Sequence, residues 1–226
     1  MKNFLIPLLL FVLCISCTST KNSDEFITKT TGRYLFNANE VIEVYFKDKE
    51  LLIKWRGKEG IQPLKINDSS FYMKELNEKM IFISLPKTHI KLAEKTEHKG
   101  VEYLFHKMKA GDKTPTEYFE AKNYDKALKA FLEIKKQDSL SPVIKQYTMN
   151  RTGYNYMKNN EFEKAIEILK INTHLYPKSS NTFDSLGDAF LKAKDTANAI
   201  ENYNKSLSIN SENSSSLRML KRINKE

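Results

Sequence analysis

Cysteine is almost missing from this chain of 226 residues: Cys14 and Cys17 are the only two, and both lie within the first twenty positions. The remainder can therefore form neither a disulfide framework nor a thiolate metal site. Glycine is scarce too, seven in all, with no cluster of the kind that cradles phosphate. The four histidines, His89, His98, His106 and His174, include no pair at the helical spacing of H-E-x-x-H. Long hydrophobic runs are absent except for residues 4–15, and that stretch falls short of the roughly 20 residues needed to cross a bilayer. Concentrated charge of one sign is also lacking. Lys and Arg number 37 against 28 Asp and Glu, a formal charge of +9. The excess is thinly spread: 16 basic against 13 acidic residues over 18–108, and 20 against 15 over 109–226. A nucleic-acid binder would gather that charge on one face, so no nucleic-acid partner is expected.

The first residues carry their own pattern. Met1-Lys2-Asn3 is a short positive leader, and "FLIPLLLFVLCI" after it has the length of a signal-peptide core. Ser16 then precedes Cys17, with Leu13 four positions before it and Cys14 three before. This arrangement resembles a bacterial lipobox, which implies cleavage after residue 16 and lipid (palmitate-type) attachment at Cys17. It departs from that pattern at Cys14, where the family usually has Leu. An ordinary secretory signal with incidental cysteines is the alternative. The polar stretch after Cys17 predicts a flexible tether over 17–30.

From Thr31 to Met108 the apolar period is two. Ile42, Val44 and Phe46 share one face of "VIEVYFK", and Leu51, Ile53 and Trp55 share one face of "LLIKW". "KMIFISL" and "GVEYLFHKM" alternate likewise, with turn-forming clusters between the runs. The pattern predicts about eight short strands in an antiparallel meander over 31–108, whose closure would remove exposed edges. "GRYLF", "LLIKW", "PLKINDSSFYM" and "VEYLFHKM" together resemble the small lipocalin-like β domain that follows the catalytic domain of serine β-lactamase-like hydrolases. Such a barrel either fills its interior with side chains or holds one small ligand, and the many Phe, Tyr and Ile residues here favour filling.

Near Pro115 the period becomes helical, and an internal repeat emerges. Gly153 and Gly187, Tyr156 and Phe190, Ala165 and Ala199, and Leu169 and Tyr203 are each 34 residues apart. "EYFEAKNYDKALKAF" is an earlier copy, with a four-residue insertion before the next. These residues resemble the tetratricopeptide (TPR) repeat, a helical hairpin that stacks on its neighbours. The whole chain is accordingly expected to be α+β: a β meander or small barrel, then an all-α TPR array over 109–226. The expected repeats are 108–145, 146–179 and 180–213, with a capping helix at 214–226. Three repeats are about the minimum for a stable array, so self-association or packing on the β half is also expected.

In "NTFDSLGDAFLK", the pair Asp184 and Asp188 lies four residues apart, away from the buried face of Phe183, Leu186, Gly187 and Phe190. The TPR resemblance implies that this other face lines a concave groove, with Asn150 and Tyr154 at the matching positions one repeat earlier. A basic or neutral protein segment is the expected occupant, because no Lys/Arg cluster is evident beside these acids. Reactive machinery was sought and is not legible. There is no G-x-S-x-G, and the one S-x-x-K match, Ser84 to Lys87, has Pro86 where a helix should begin. No catalytic residue, metal or cofactor is expected. The sequence thus reads as a non-enzymatic, lipid-anchored protein of the bacterial envelope, on its periplasmic or surface face, with a partner-binding groove. The alternatives are a small-ligand-binding barrel lipoprotein and a detached accessory subunit of a serine-hydrolase-type enzyme.

Overall fold

The computed structural model describes residues 20–225. The leader, the lipobox-like segment and Cys17 lie outside the described residues. Two compact units follow one another, a β-sheet unit and a helical unit that begins after Lys109.

The β unit is one curled, nine-stranded antiparallel sheet. Its strands are β1 (Gly32–Asn37), β2 (Glu40–Lys47), β3 (Glu50–Trp55), β4 (Lys58–Ile61), β5 (Leu64–Lys65), β6 (Ser70–Met73), β7 (Glu78–Ile83), β8 (His89–Leu92) and β9 (Leu104–Lys107). The order is β4-β3-β2-β1-β9-β8-β7-β6-β5. First and last strands pair mid-sheet, with Tyr34 opposite Lys107. The two edges are β4 and β5, which are consecutive in sequence but not hydrogen-bonded to each other. Closure stops there for a local reason: Pro63, at the corner between them, has no N–H to donate. The result is a half-barrel whose second edge is a two-residue strand, too short to template aggregation. The strand expected over 100–108 is shorter than its alternation suggested, because Thr96–His98 forms a 3-10 turn and pairing resumes only at Leu104.

Alternation puts fourteen apolar side chains on the inner face, among them Tyr34, Ile42, Ile53, Trp55, Phe71, Met80 and Phe105. Positive φ at both Asp48 (50°) and Lys49 (67°) makes the β2–β3 connection the kind of two-residue turn that matches strand twist.

Part of the expected tether is ordered. Residues Asp24–Thr30 form α1, capped by Ser23, whose hydroxyl accepts from the Phe26 N–H. Phe26 packs on Phe71, Phe82 and Phe46, with ring centroids 5.8, 5.4 and 6.1 Å away. Tyr34 donates to the Thr30 carbonyl at 2.7 Å, and Lys107 donates to the Lys29 carbonyl at 2.7 Å. Upstream, the Asn22 side chain donates to the Lys49 carbonyl at 2.9 Å. The polar run disguises a single anchor, Phe26, and the aromatic side chains of the sheet give it somewhere to go.

The helical unit contains α2 (Pro115–Glu120), α3 (Tyr124–Gln137), α4 (Gln146–Lys158), α5 (Phe162–Leu175), α6 (Ser180–Lys192), α7 (Thr196–Ile209) and α8 (Ser214–Ile223). These pair as hairpins α2/α3, α4/α5 and α6/α7, with α8 packed on α7. A Cβ built on Gly153 would sit 2.5 Å from Leu169 Cγ, and one on Gly187 would sit 2.6 Å from Tyr203 Cε1. Each glycine thus lets its hairpin close, and the 34-residue period is this contact written twice. The hairpin turns repeat as well: Lys122, Asn160 and Lys194 all take positive φ, at 56°, 61° and 64°.

The first repeat is incomplete. Its leading helix has 6 residues where α4 and α6 have 13. A capping box between Thr114 and Glu117, with Pro115 as first helical residue, starts α2 late. The insertion before α4 becomes a 3-10 turn, Pro142–Ile144, which buries Ile144 and offers its carbonyl to the Tyr176 hydroxyl at 2.9 Å.

Candidate binding groove

Helices α4, α6 and α8 present equivalent faces to a groove of about 840 Å³. Met157, Leu191 and Met219, one from each helix, are its apolar lining, joined by Phe162 at the start of α5. Lys158, Lys192, Lys194, Arg218 and Arg222 surround them, all exposed. Spacing explains the gathering. Lys158 and Lys192 are 34 residues apart in the last turns of α4 and α6, and Arg218 and Arg222 stand four apart on α8.

The single carboxylate in the lining, Asp188, is already engaged. Tyr154 donates to its Oδ2 and Tyr203 to its Oδ1, both at 2.7 Å. Burial chiefly, then the bond to Asp188, pushes both phenols well above their usual range, so they remain donors at neutral pH. Asp188 therefore ties α4 to α6 and α7. Asp184, one turn earlier, points into the stack: it is 5% exposed and accepts from Ser216 on α8 at 2.7 Å. Burial raises its carboxyl above the ordinary range, against the Ser216 hydrogen bond and with the neighbouring Asp188 charge. Asn150, 8% exposed, accepts from the Asn172 amide at 2.7 Å.

Of the four groove residues expected from sequence, the structure places Tyr154 and Asp188 in the lining. It places Asn150 and Asp184 inside the stack, holding helices together. The expectation that cations are lacking there is corrected. They come from the last turns of α4 and α6, the turn after α6, and α8, and only stacking brings these together. A signal was present in the 34-residue spacing of Lys158 and Lys192. The arginines of α8 could not be aligned to it without knowing where α8 packs.

Elsewhere the chemistry-bearing side chains have structural partners. Ser185 is buried beside Tyr154. His98 Nδ1 meets the Tyr103 hydroxyl at 2.9 Å, and His89 Nδ1 meets the Lys87 carbonyl at 2.8 Å. His89 and His106 lie opposite each other on β8 and β9, ring centroids 6.2 Å apart, a proximity their sequence spacing concealed. No group of three or more metal-ligating side chains occurs among the described residues. No helix among them is long and apolar enough to cross a membrane.

No protein-family profile matches the chain, and no curated protein does. Among solved structures it is similar to the first TPR of Spaghetti (RPAP3) bound to HSP90 peptide SRMEEVD, at 18% identity and a TM-score of 0.34. That match covers 49% of this chain and 85% of that one. The Sgt2 TPR domain from Aspergillus fumigatus matches at 22% identity and 0.35, covering 49% and 72%. YrrB, described as a TPR protein with an unusual peptide-binding site, matches at 14% and 0.34, covering 47% and 53%. The helical unit is a stack of TPR-type hairpins on its own geometry, by the Gly153–Leu169 and Gly187–Tyr203 contacts.

Proposed function

We propose that this is a non-enzymatic, lipid-anchored protein of the bacterial envelope whose helical unit binds a partner protein between α4, α6 and α8. The groove carries this reading: an apolar trough across three helices is the shape that receives a helix or an extended segment. Lipid attachment at Cys17 rests on the lipobox-like residues, and location on the periplasmic or surface face follows from it. The absence of enzymatic activity is supported by the partners found for candidate nucleophiles, since Ser185 lies beside a tyrosine rather than an imidazole. The small-ligand barrel has less support, because fourteen apolar side chains occupy the inner face of the sheet.

Photo-cross-linking in cells tests the groove. A photoreactive residue in place of Lys192 should capture a discrete partner, while the same residue in place of Glu201, exposed on α7, should not. Equal capture from both positions, or none from Lys192, would remove the reading. For the anchor, Cys17→Ser should move the protein out of the membrane fraction, and unchanged fractionation counts against lipidation.

A further inference from the structure

We infer that the segment bound in this groove is acidic, with apolar residues interspersed among its carboxylates. The inference rests on the partner-binding reading above and names the chemistry of the occupant.

The argument begins with the cations that have no partner. Across the helical unit lysines are generally paired: Lys122 with Glu163 at 2.6 Å, Lys164 with Glu120 at 2.8 Å, Lys170 with Glu167 at 2.8 Å. None of Lys158, Lys192, Lys194, Arg218 and Arg222 has a carboxylate within 4.0 Å among the described residues. Five like charges around one trough repel one another, and that arrangement favours whatever brings negative charge into it. Helix dipoles explain part of the placement, since Lys158 and Lys192 occupy last turns where a cation is favoured. They do not explain Arg218, in the middle of α8, or Lys194, beyond the end of α6. The one acid available locally, Asp188, is held by two tyrosine hydroxyls and turned to a structural task.

The lining decides which anion fits. A nucleic acid backbone would meet the cations but leave Met157, Leu191 and Met219 without use. A flat anionic membrane could reach the rim but not the floor of a concave trough. An acidic peptide with Leu, Met or Phe at intervals satisfies both, with its carboxylates on the rim and its apolar side chains on the floor. Arg218 and Arg222 add a forked donor geometry suited to carboxylates.

The test is panning of the full-length protein, in detergent, against a library of short random peptides, followed by affinity measurement of those recovered. The expected result is enrichment of Asp and Glu with interspersed apolar residues. Affinity should fall as salt rises, and should drop about tenfold or more in the double variant Lys192→Glu/Arg218→Glu. Both positions are exposed, so the variant should keep the parent's circular dichroism spectrum.

Neutral or basic peptides that still lose affinity in the double variant would overturn the acidic occupant and leave the groove intact. Peptides indifferent to the double variant would remove groove and occupant together. Tighter capture of phosphatidylglycerol vesicles or a single-stranded oligonucleotide than of any peptide, abolished in the same variant, would also overturn the inference. Recovery of no peptide, combined with successful cross-linking from the Lys192 position, would sink the acidic segment while keeping the partner-binding reading.

Discussion

Gly187 illustrates how two effects of opposite sign are weighed at a single residue. Replacing a helical glycine with alanine ordinarily stabilises by about 1 kcal/mol. Here the new methyl would meet Tyr203 Cε1 at 2.6 Å, and Tyr203 is itself buried and bonded to Asp188. Overpacking of this kind costs about 1–3 kcal/mol, so Gly187→Ala should destabilise, as should Gly153→Ala against Leu169. Urea unfolding of both variants measures this, and a gain in stability would show that the hairpins have slack. Asp184 provides a pH test. Its folded-state carboxyl lies above the unfolded value of 3.8, so the native state holds a proton that the unfolded state has released. Stability therefore falls as pH rises through that window, and the penalty is absent below it. Asp184→Asn should gain stability relative to the parent between about pH 4 and pH 7, with little difference at the acidic end. Ser216→Ala should lose about 1–3 kcal/mol at neutral pH by leaving that carboxylate short of a donor. Parallel melting curves across the range would contradict the assignment.

At the level of elements, legibility depended on whether the signal was local. The 34-residue period could be read because each hairpin makes the same contact with itself, Gly153 with Leu169 and Gly187 with Tyr203. The truncation of α2 could also be traced, since Thr114, Pro115 and Glu117 are adjacent. By contrast α1 was hidden. Its seven residues, DEFITKT, carry one aromatic whose partners lie on β2, β6 and β7. Phe26→Ala should cost the sheet unit about 2 kcal/mol, less than a fully buried phenylalanine because the ring is half-exposed. An unfolding midpoint equal to the parent's would mean that α1 is not part of the cooperative unit.

The molecule as a whole has two separate cores, one in the sheet and one among the helices. The only tryptophan, Trp55, belongs to the first. Its fluorescence should follow sheet unfolding, while circular dichroism in the helical band follows the repeats. Gly187→Ala should shift the helical transition and leave the fluorescence transition in place, with Phe26→Ala doing the reverse. Movement of both signals together in either variant would reveal one cooperative unit.

Periodicity and punctuation, which are properties of neighbouring residues, were enough to establish an alternating β half, a hairpin repeat and its register. They could not say which polar residues of a repeat face outward. Asp184 and Asp188 sit on the same helix one turn apart, yet one is sealed by Ser216 and the other lines the groove. That difference arises from α8, whose docking also delivers Arg218 and Arg222 to the rim. Burial and charge at a surface depend on what packs alongside, and packing partners distant in the chain leave no mark on local spacing.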